Sequence, residues 1–546
     1  MKWKKPDTVR SLLILTLLTL ACLVAFIGKA FHIDDPLFVW CARHIQSHPF
    51  NFYGFKVNWD GREAPMAAMM QNPPLAAYYM AAAGALVGWN ESTLHGWFLL
   101  PPLALVAGTW FLARKLCAHP MVAALVTVTA PVFLLSSTSV MCDTMMMALW
   151  VWAVVFWMGG LGQDCPARLG AAAFLVAACG LTKYFGLSLL PLLLVYTLME
   201  KRRAGIWLAW LGVPVLVMIF YQCWTSHLYG RGLLLDAAAY ATGARVGGDL
   251  PERILTGLAF SGWCIFILLP MAPLLWGRKG LAGGILAFAM ILVLLLIVKK
   301  VNQFRVCDEA RVNWMFAVQF TCAVVAGGSL VVLAAADWFG RRTPGSMLLL
   351  LWISGTLLFD CAVNWTVSGR NILPMLPAAS ILLVRRLESR HGPDRPDIVG
   401  WLWVPLGLSL AVALSAAWAD YRLAEAARDA AEAVMRKADV APARMWFEGH
   451  WGFQYYMEQK GARPIDWDKL SMGRDDVVVL PLGNSFLVPL PPDAFKLWFT
   501  HEGGTLPWLA VMSPACGAGY YSDAWGPLPF VICRTPAEQY QVFRVH

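Results

Sequence analysis

The chain has 546 residues, of which 59% are hydrophobic and only 14% are charged, and its mean hydropathy is +0.57. A soluble globular domain carries roughly 25% charged residues, so this composition excludes an ordinary soluble protein. The net charge of +9 does not indicate nucleic-acid binding, because the basic residues stand in short clusters between long apolar runs. This segregation predicts an all-α polytopic membrane protein.

About thirteen apolar runs, separated by charged residues or helix breakers, are candidate membrane helices. The first follows a basic N-terminus and is interpreted as an uncleaved helix rather than a signal peptide, because it holds about twenty apolar residues. The predicted spans are 12–31, 96–115, 120–138, 142–160, 168–182, 184–199, 205–225, 254–276, 280–298, 314–337, 345–363, 371–384 and 399–418.

Basic residues recur at nearly every second connection between these runs. The positive-inside rule assigns such connections to the cytoplasm. The other connections, among them 32–95, 299–313 and 364–370, are therefore predicted on the outer side, together with the region 420–546. The basic residues that set this orientation are Lys2, Lys4, Lys5, Arg114, Lys115, Lys201, Arg202, Arg203, Arg278, Lys279, Arg341, Arg342, Arg385, Arg386, Arg390 and Arg395.

The predicted domains are a membrane domain, 1–419, and a small outer α/β domain, 420–546. The first outer loop, 32–95, is rich in aromatic residues and is expected to be ordered. Within it, a helix near Pro36–Ile45 is predicted to lie in the membrane interface. A second helix over Leu75–Val87 is predicted to be re-entrant or interfacial, because thirteen residues are too few to span the membrane.

The region after the last span changes its pattern. Residues 418–437 predict a helix, and runs near 476–480, 508–512 and 529–534 predict strands. Cys516 and Cys533 both lie in this region. They could form a disulfide outside the cytoplasm, and the sequence leaves their pairing open.

Asp34 and Asp35 stand where the first span leaves the bilayer, and Asp143 opens a later span on the same side. An acidic pair at a helix end can be a simple cap or an interfacial solubilising pair. It can also supply a general base, because a carboxylate accepts a proton from an attacking hydroxyl at neutral pH. Asp143 alone is typical of an N-cap, and its shared side with Asp34 makes it a candidate for orienting an acceptor.

Several basic residues are predicted on the outer side, against the usual bias. Each one alone can be a snorkelling side chain at the interface. Together they favour an anionic ligand such as a lipid phosphate. These residues are Lys183, Lys299, Lys300, Arg305, Arg311 and Arg370.

No cofactor is indicated by the motifs of the chain. His32, His44 and His48 in the first loop do not have the spacing of a metal site, so a divalent metal is possible but not indicated. Neither a nucleotide-binding glycine loop nor an internal repeat is visible in the sequence.

The motifs, taken in order, resemble the bacterial membrane glycosyltransferases of the GT-C fold, in the broad family 39 group. That group includes protein O-mannosyltransferases and the aminoarabinose transferase that modifies lipid A. The resemblance runs over most of 10–390. It is carried by Asp34-Asp35, Pro73-Pro74-Leu75, Asp143, Leu181-Thr182-Lys183, and Arg370 ahead of Leu-Pro-Met-Leu-Pro.

The resemblance implies an inverting transferase of the bacterial inner membrane that uses a polyprenyl-phosphate-linked sugar on the periplasmic side. It implies that Asp34, with Asp35, is the catalytic acidic position. Asp143 would orient the acceptor, which is left open as a lipid, glycan or protein hydroxyl. The implied donor-phosphate residues are Lys183, Arg370, Lys299, Lys300 and Arg305, and the substrate-loop residues are Asn72 and Tyr184.

The chain departs from the family pattern at two places. Asp34-Asp35 stands where the family commonly has Asp-Glu, and Asn72 stands where many members have lysine, which leaves phosphate binding more dependent on Lys183 and Arg370. The alternative function is a polytopic transporter or lipid flippase. Transporters often show paired repeats and broken helices at the bilayer midplane, whereas the polar residues here cluster on one side.

Overall fold

The computed structural model describes residues 7–243, 248–308, 311–392 and 397–546. The N-terminal lysines and Arg395, which contributed to the predicted orientation, lie outside these ranges. In chain order the helices are α1 (Thr8–Leu23), α2 (Asp35–Ser47), α3 (Met66–Met69), α4 (Leu75–Val87), α5 (Glu91–Trp97), α6 (Leu100–Leu116), α7 (Pro120–Val128), α8 (Pro131–Ser137), α9 (Asp143–Gly162), α10 (Pro166–Thr182), α11 (Leu189–Lys201), α12 (Trp207–Tyr229), α13 (Leu233–Gly243), α14 (Leu250–Cys264), α15 (Ala272–Leu275), α16 (Arg278–Val298), α17 (Trp314–Arg341), α18 (Pro344–Leu358), α19 (Gly369–Ile372), α20 (Leu376–His391), α21 (Asp397–Ala438) and α22 (Trp451–Gln459).

The predicted polytopic helical fold is confirmed. Nine helices in the described ranges are long and apolar enough to cross a membrane, or ten if the pair α7 and α8, bent by 59°, forms one span. Pro131 opens α8 at this bend, where its ring cannot continue the preceding helix. The nine helical segments are Thr8–Phe26, Glu91–Leu116, Asp143–Gly162, Tyr184–Lys201, Trp207–Tyr229, Arg278–Val298, Trp314–Arg341, Pro344–Val363 and Gly400–Ala438.

The remaining predicted spans are helical but shorter or interrupted. The run 168–182 lies in α10, which has 17 residues. The run 254–276 breaks after α14 and resumes as short helical turns. The run 371–384 lies in the interrupted helix formed by α19 and α20.

The first loop contains the two predicted short helices. One is α2, and the other is α4, whose bounds match the prediction. Between them lies an antiparallel hairpin of β1 (Lys56–Asn58) and β2 (Glu63–Pro65). α2 packs closely against α4 and also contacts α22, so the loop forms an ordered cap.

The C-terminal region has the predicted α/β character. The region starts within α21, a continuous helix of 42 residues. This helix runs through the predicted domain boundary at 419, so the division of the chain into two domains stays a prediction. The remaining strands of the chain are β3 (Lys300–Val301), β4 (Phe304–Arg305), β5 (Cys307–Asp308), β6 (Arg311–Val312), β7 (Met445–Phe447), β8 (Arg463–Pro464), β9 (Val477–Pro481), β10 (Phe495–Gly503), β11 (Leu509–Ala510), β12 (Met512–Ser513), β13 (Ala518–Gly519), β14 (Val531–Ile532) and β15 (Glu538–Val545).

Five of these strands form the sheet of the C-terminal region, in the order β10-β15-β9-β7-β8. β9 pairs antiparallel with β15 and parallel with β7. All five of its residues are buried, as expected for a central strand that is covered on both faces. α21 packs against α22 and β10, so the last membrane helix also forms part of this region.

Candidate active site

A cluster of charged side chains lies at one end of the helical bundle, where α2 and α9 begin and α10 ends. The chain enters it through Ile33, a buried β-branched residue with φ of 48°. This left-handed conformation costs a non-glycine residue about 1–3 kcal/mol and is concentrated at functional sites. It turns the chain between the first span and α2, at the residue directly before Asp34.

Asp34 forms an ion pair with Arg370 of α19. The Oδ2 atom of Asp34 lies 2.8 Å from a terminal nitrogen of Arg370, and the two side chains are 26% and 19% exposed. The same nitrogen lies 3.0 Å from the Met141 sulfur. The guanidinium carbon lies 5.4 Å from the centroid of the Tyr521 ring, which is cation–π distance. Both charges are thus partly open to a ligand.

Asp143 forms a second ion pair, with Lys183. Lys183 Nζ lies 2.6 Å from Asp143 Oδ1, and the Asp143 side chain is only 2% exposed. Asp143 is the first residue of α9 rather than the predicted N-cap, which is Cys142. Lys183 directly follows the last residue of α10. A negative charge at a helix N-terminus and a positive charge at a C-terminus both interact favourably with the helix dipoles.

Asn371 connects the two ion pairs. Its side-chain oxygen accepts a hydrogen bond from Lys183 Nζ at 3.3 Å, and it follows Arg370 directly in α19. The predicted convergence of Asp34, Asp143, Lys183 and Arg370 is therefore present in the structure. Asn371 was not predicted from the sequence, because an asparagine gives no signal of a lysine partner 188 residues away.

For Asp35 the structure favours a positioning role over the predicted catalytic one. Its side chain is fully buried. One carboxylate oxygen accepts a hydrogen bond from the backbone N–H of His32, and the other accepts one from Val140. Burial raises the pKa of Asp35 to about 7. Asp35 ties the start of α2 to the turn that precedes Asp143, and it has no free surface to meet a substrate.

The two predicted substrate-loop residues lie beside this cluster. The side-chain oxygen of Asn72 accepts a weak hydrogen bond from the Cys142 thiol at 3.6 Å. Its carbonyl accepts one from the Tyr53 hydroxyl at 2.7 Å. Tyr184 follows Lys183, and its hydroxyl lies 3.0 Å from that of Tyr221.

The three other predicted phosphate ligands are not brought into the cluster. Lys299 precedes the hairpin of β3 and β4, in which Lys300 pairs with Arg305, and all three side chains are exposed. Within the described residues, no side-chain hydrogen bond or ion pair joins them to Asp34, Asp143 or Asn371. Their role as donor-phosphate ligands stays a prediction.

A buried network, which was not predicted from the sequence, lies behind the Asp34–Arg370 pair. The side chains of Lys29 and Asp420 are fully buried, and Lys29 Nζ lies 2.5 Å from Asp420 Oδ2. The Tyr521 hydroxyl donates to Asp420 at 2.9 Å. His32 lies 3.6 Å from Asp420, and burial lowers the pKa of His32 to about 4, so it is neutral at pH 7. A lysine inside the first apolar run was the available signal, because such charges are usually paired or functional.

The described residues contain no group of three or more His, Cys, Asp or Glu side chains that could hold a metal ion. The cluster instead presents two carboxylates, two cations and an amide. This set can bind an anionic group and accept a proton from a hydroxyl.

Residues 71–226 match the family model of the dolichyl-phosphate-mannose-protein mannosyltransferases. The resemblance to membrane glycosyltransferases is thereby confirmed. The matched range contains Asn72, Asp143, Lys183 and Tyr184, and it excludes Asp34 and Arg370. None of the curated proteins compared with the chain matches it.

Two solved structures show a low overall similarity to the chain. One is ArnT from Cupriavidus metallidurans bound to undecaprenyl phosphate, with 13% identity over 87% of this chain and 93% of that chain, and a TM-score of 0.45. The other is the arabinofuranosyltransferase AftD from Mycobacteria, with 12% identity over 100% of this chain and 40% of that chain, and a TM-score of 0.41.

Proposed function

We propose that the protein is an inverting glycosyltransferase that moves a sugar from a polyprenyl-phosphate donor to a hydroxyl acceptor. The observation that carries the proposal is the placement of two ion pairs, Asp34–Arg370 and Asp143–Lys183, around Asn371 at one end of the bundle. The family match over 71–226, which includes Lys183, supports a lipid-phosphate sugar as the donor.

In this reaction the acceptor oxygen attacks the anomeric carbon of the donor sugar, and the bond from that carbon to the phosphate oxygen breaks. The acceptor proton passes to Asp34, and the lipid phosphate leaves with the bonding electrons. Lys183 and Arg370 stabilise the negative charge that develops on the leaving phosphate. Cations that are already held in place do this at little reorganisation cost.

Asp34 and a donor phosphate compete for the same guanidinium. While its Oδ2 atom contacts Arg370, the Asp34 carboxylate is only partly free to accept a hydrogen bond from an acceptor hydroxyl. When the phosphate takes up Arg370, Asp34 is released close to the sugar. The donor thus frees the base that activates the acceptor, and we expect the donor to bind first.

Asp143 supports this arrangement as a buried counterion of Lys183. With 2% of its side chain exposed, it touches the lysine rather than a substrate. Its role is to hold Lys183 Nζ beside Asn371, which differs from the acceptor-orienting role expected from the sequence.

The proposed location is the bacterial inner membrane, with the cluster and the C-terminal region on the periplasmic side. Support comes from the basic residues at the other end of the bundle. Lys115 and Arg168 lie beside Gly159, sixteen residues along α9 from Asp143 and therefore about 24 Å away. Arg385 lies near Gly345 at the same end. A positively charged end opposite the cluster is typical of a cytoplasmic face.

The function is tested by incubating the purified protein in vesicles with a labelled polyprenyl-phosphate sugar and envelope extract. We expect the label to leave the lipid phosphate and to enter a glycolipid, glycan or protein fraction, which mass spectrometry then identifies. Counterflow of the intact labelled lipid across the vesicle membrane, without cleavage of the sugar–phosphate bond, would instead indicate a flippase.

The location is tested by the state of Cys516 and Cys533. Both thiols are free in the structure, and the neighbouring Cys533 thiol lowers the pKa of Cys516 to about 7, which favours the reactive thiolate. In the oxidising periplasm we expect a disulfide that closes a short loop and stabilises the folded state by about 3 kcal/mol. Maleimide labelling of denatured protein should modify both cysteines only after reduction. Full labelling of both without reductant would contradict a periplasmic C-terminal region.

A further inference from the structure

Four consecutive residues of the C-terminal region, Tyr520–Asp523, hold the segment that carries Arg370. The backbone N–H of Gly369 donates to the Tyr520 carbonyl at 2.7 Å, and that of Asp523 donates to the Val367 carbonyl at 2.9 Å. The Asp523 carboxylate accepts from the Thr366 hydroxyl at 2.6 Å and from the Val367 N–H at 3.0 Å. The chain immediately before Arg370 is therefore fixed by hydrogen bonds on both sides of Ser368.

Gly369 allows this close approach. A Cβ atom at this position would lie 2.2 Å from a carbon of the Tyr520 ring, which is well inside van der Waals contact. The Tyr520 hydroxyl lies 2.7 Å from that of Ser136 in α8. The Tyr520 side chain thus contacts both α8 and α19, and its backbone holds the residue that precedes Arg370.

Tyr521 extends this support to the Arg370 side chain. Its ring lies at cation–π distance from the guanidinium, 5.4 Å from the guanidinium carbon to the ring centroid. Its hydroxyl donates to Asp420, which forms the buried ion pair with Lys29. Asp420 belongs to α21 and Lys29 follows the first span, so the ring is anchored at the meeting point of distant parts of the chain.

We propose that Tyr521 is a positioning residue for the donor phosphate: its anchored ring keeps Arg370 aimed into the site. Arg370 has to be held in position during donor binding, because its guanidinium must leave Asp34 and contact the phosphate instead. The contact with the ring survives that exchange, so the guanidinium keeps its orientation. The C-terminal region then contributes a positioning residue to the donor site. This inference rests on the proposed function, in which Arg370 binds the donor phosphate.

The test measures the Kd of the full-length protein in detergent for undecaprenyl phosphate, with undecaprenol as the uncharged probe. Tyr521→Leu should raise the Kd for undecaprenyl phosphate roughly 3- to 30-fold and leave the Kd for undecaprenol unchanged. Tyr540→Leu is the matched control. It removes another buried tyrosine of the C-terminal region, whose ring contacts Phe453 rather than Arg370, and it should change neither Kd.

A double-mutant cycle with Arg370→Ala separates this inference from the proposed function. If Tyr521 acts through Arg370, Tyr521→Leu should have little further effect in the Arg370→Ala background. An equal loss in both backgrounds, or no loss in the wild-type background, would overturn the role of Tyr521. A normal Kd for Arg370→Ala alone would instead overturn the assignment of the donor phosphate to Arg370.

Tyr521→Phe keeps the test decisive if the leucine variant does not fold. It retains the ring and removes only the hydroxyl bond to Asp420. We expect a smaller rise in the Kd for undecaprenyl phosphate, which disappears when Arg370 is replaced by alanine. A rise of the same size in both backgrounds would show that the hydroxyl acts elsewhere.

Discussion

Replacing Asp34 with asparagine is expected to abolish glycosyl transfer while leaving the protein folded in the membrane. The amide cannot accept the acceptor proton, and removal of a general base costs about 100- to 10,000-fold in rate. The fold should survive, because Asp34 is partly exposed and its main polar contact is the ion pair with Arg370. The rate is measured as transfer of label from the lipid-linked sugar at saturating donor.

Two comparisons make this result specific. Asp493→Asn changes an exposed aspartate far along the chain and should leave the transfer rate unchanged. In Asp34→Asn itself, the Kd for undecaprenyl phosphate should be unchanged or lower, because the carboxylate no longer competes for Arg370. Near-normal transfer by Asp34→Asn would show that Asp34 is not the general base.

Replacing Lys183 with methionine is expected to lower both the transfer rate and the stability of the protein. Its partner Asp143 is almost fully buried, and removing one member of a buried ion pair costs about 3 kcal/mol or more, because the other charge is left uncompensated. The loss is read as a lower Tm in detergent. Lys496→Met, which changes an exposed lysine of β10, is the matched control and should change neither quantity.

The double variant Lys183→Met/Asp143→Asn separates the two effects. Removing both charges eliminates the uncompensated carboxylate, so most of the lost Tm should return. Transfer should stay low, because the cation that stabilises the leaving phosphate is still missing. Recovery of transfer together with Tm would show that the pair is only structural.

Much of this architecture could be predicted from local patterns. The bounds of α4 follow from an apolar run that begins after Pro73-Pro74 and ends at a glycine, and α2 follows from the apolar spacing after Asp35. The alternation of basic connections predicts one common side of the membrane for four residues of the site: Asp34, Asp143, Lys183 and Arg370. The helix bounds depend only on residues that are neighbours in sequence. The shared side of the membrane depends only on which connections are basic.

The pairings within the site could not be predicted in this way. Asp34 pairs with Arg370 across 336 residues, and Lys29 pairs with Asp420 across 391, so only the packing of the helices decides which charges meet. The contact of Tyr521 with Arg370 could not be predicted either, because the sequence around Tyr521 does not distinguish it from other aromatic residues of the C-terminal region. The run 254–276 was predicted as one span because its composition is uniformly apolar, and composition alone does not show the break after Cys264.

The most direct test of the account is an experimental structure of the full-length protein with undecaprenyl phosphate. The account predicts phosphate oxygens within about 3 Å of both Lys183 Nζ and the Arg370 guanidinium, with the Asp34 carboxylate separated from Arg370 and facing the space beside the phosphate that the sugar would occupy. A phosphate bound elsewhere, with the Asp34–Arg370 and Asp143–Lys183 pairs both unchanged, would contradict it.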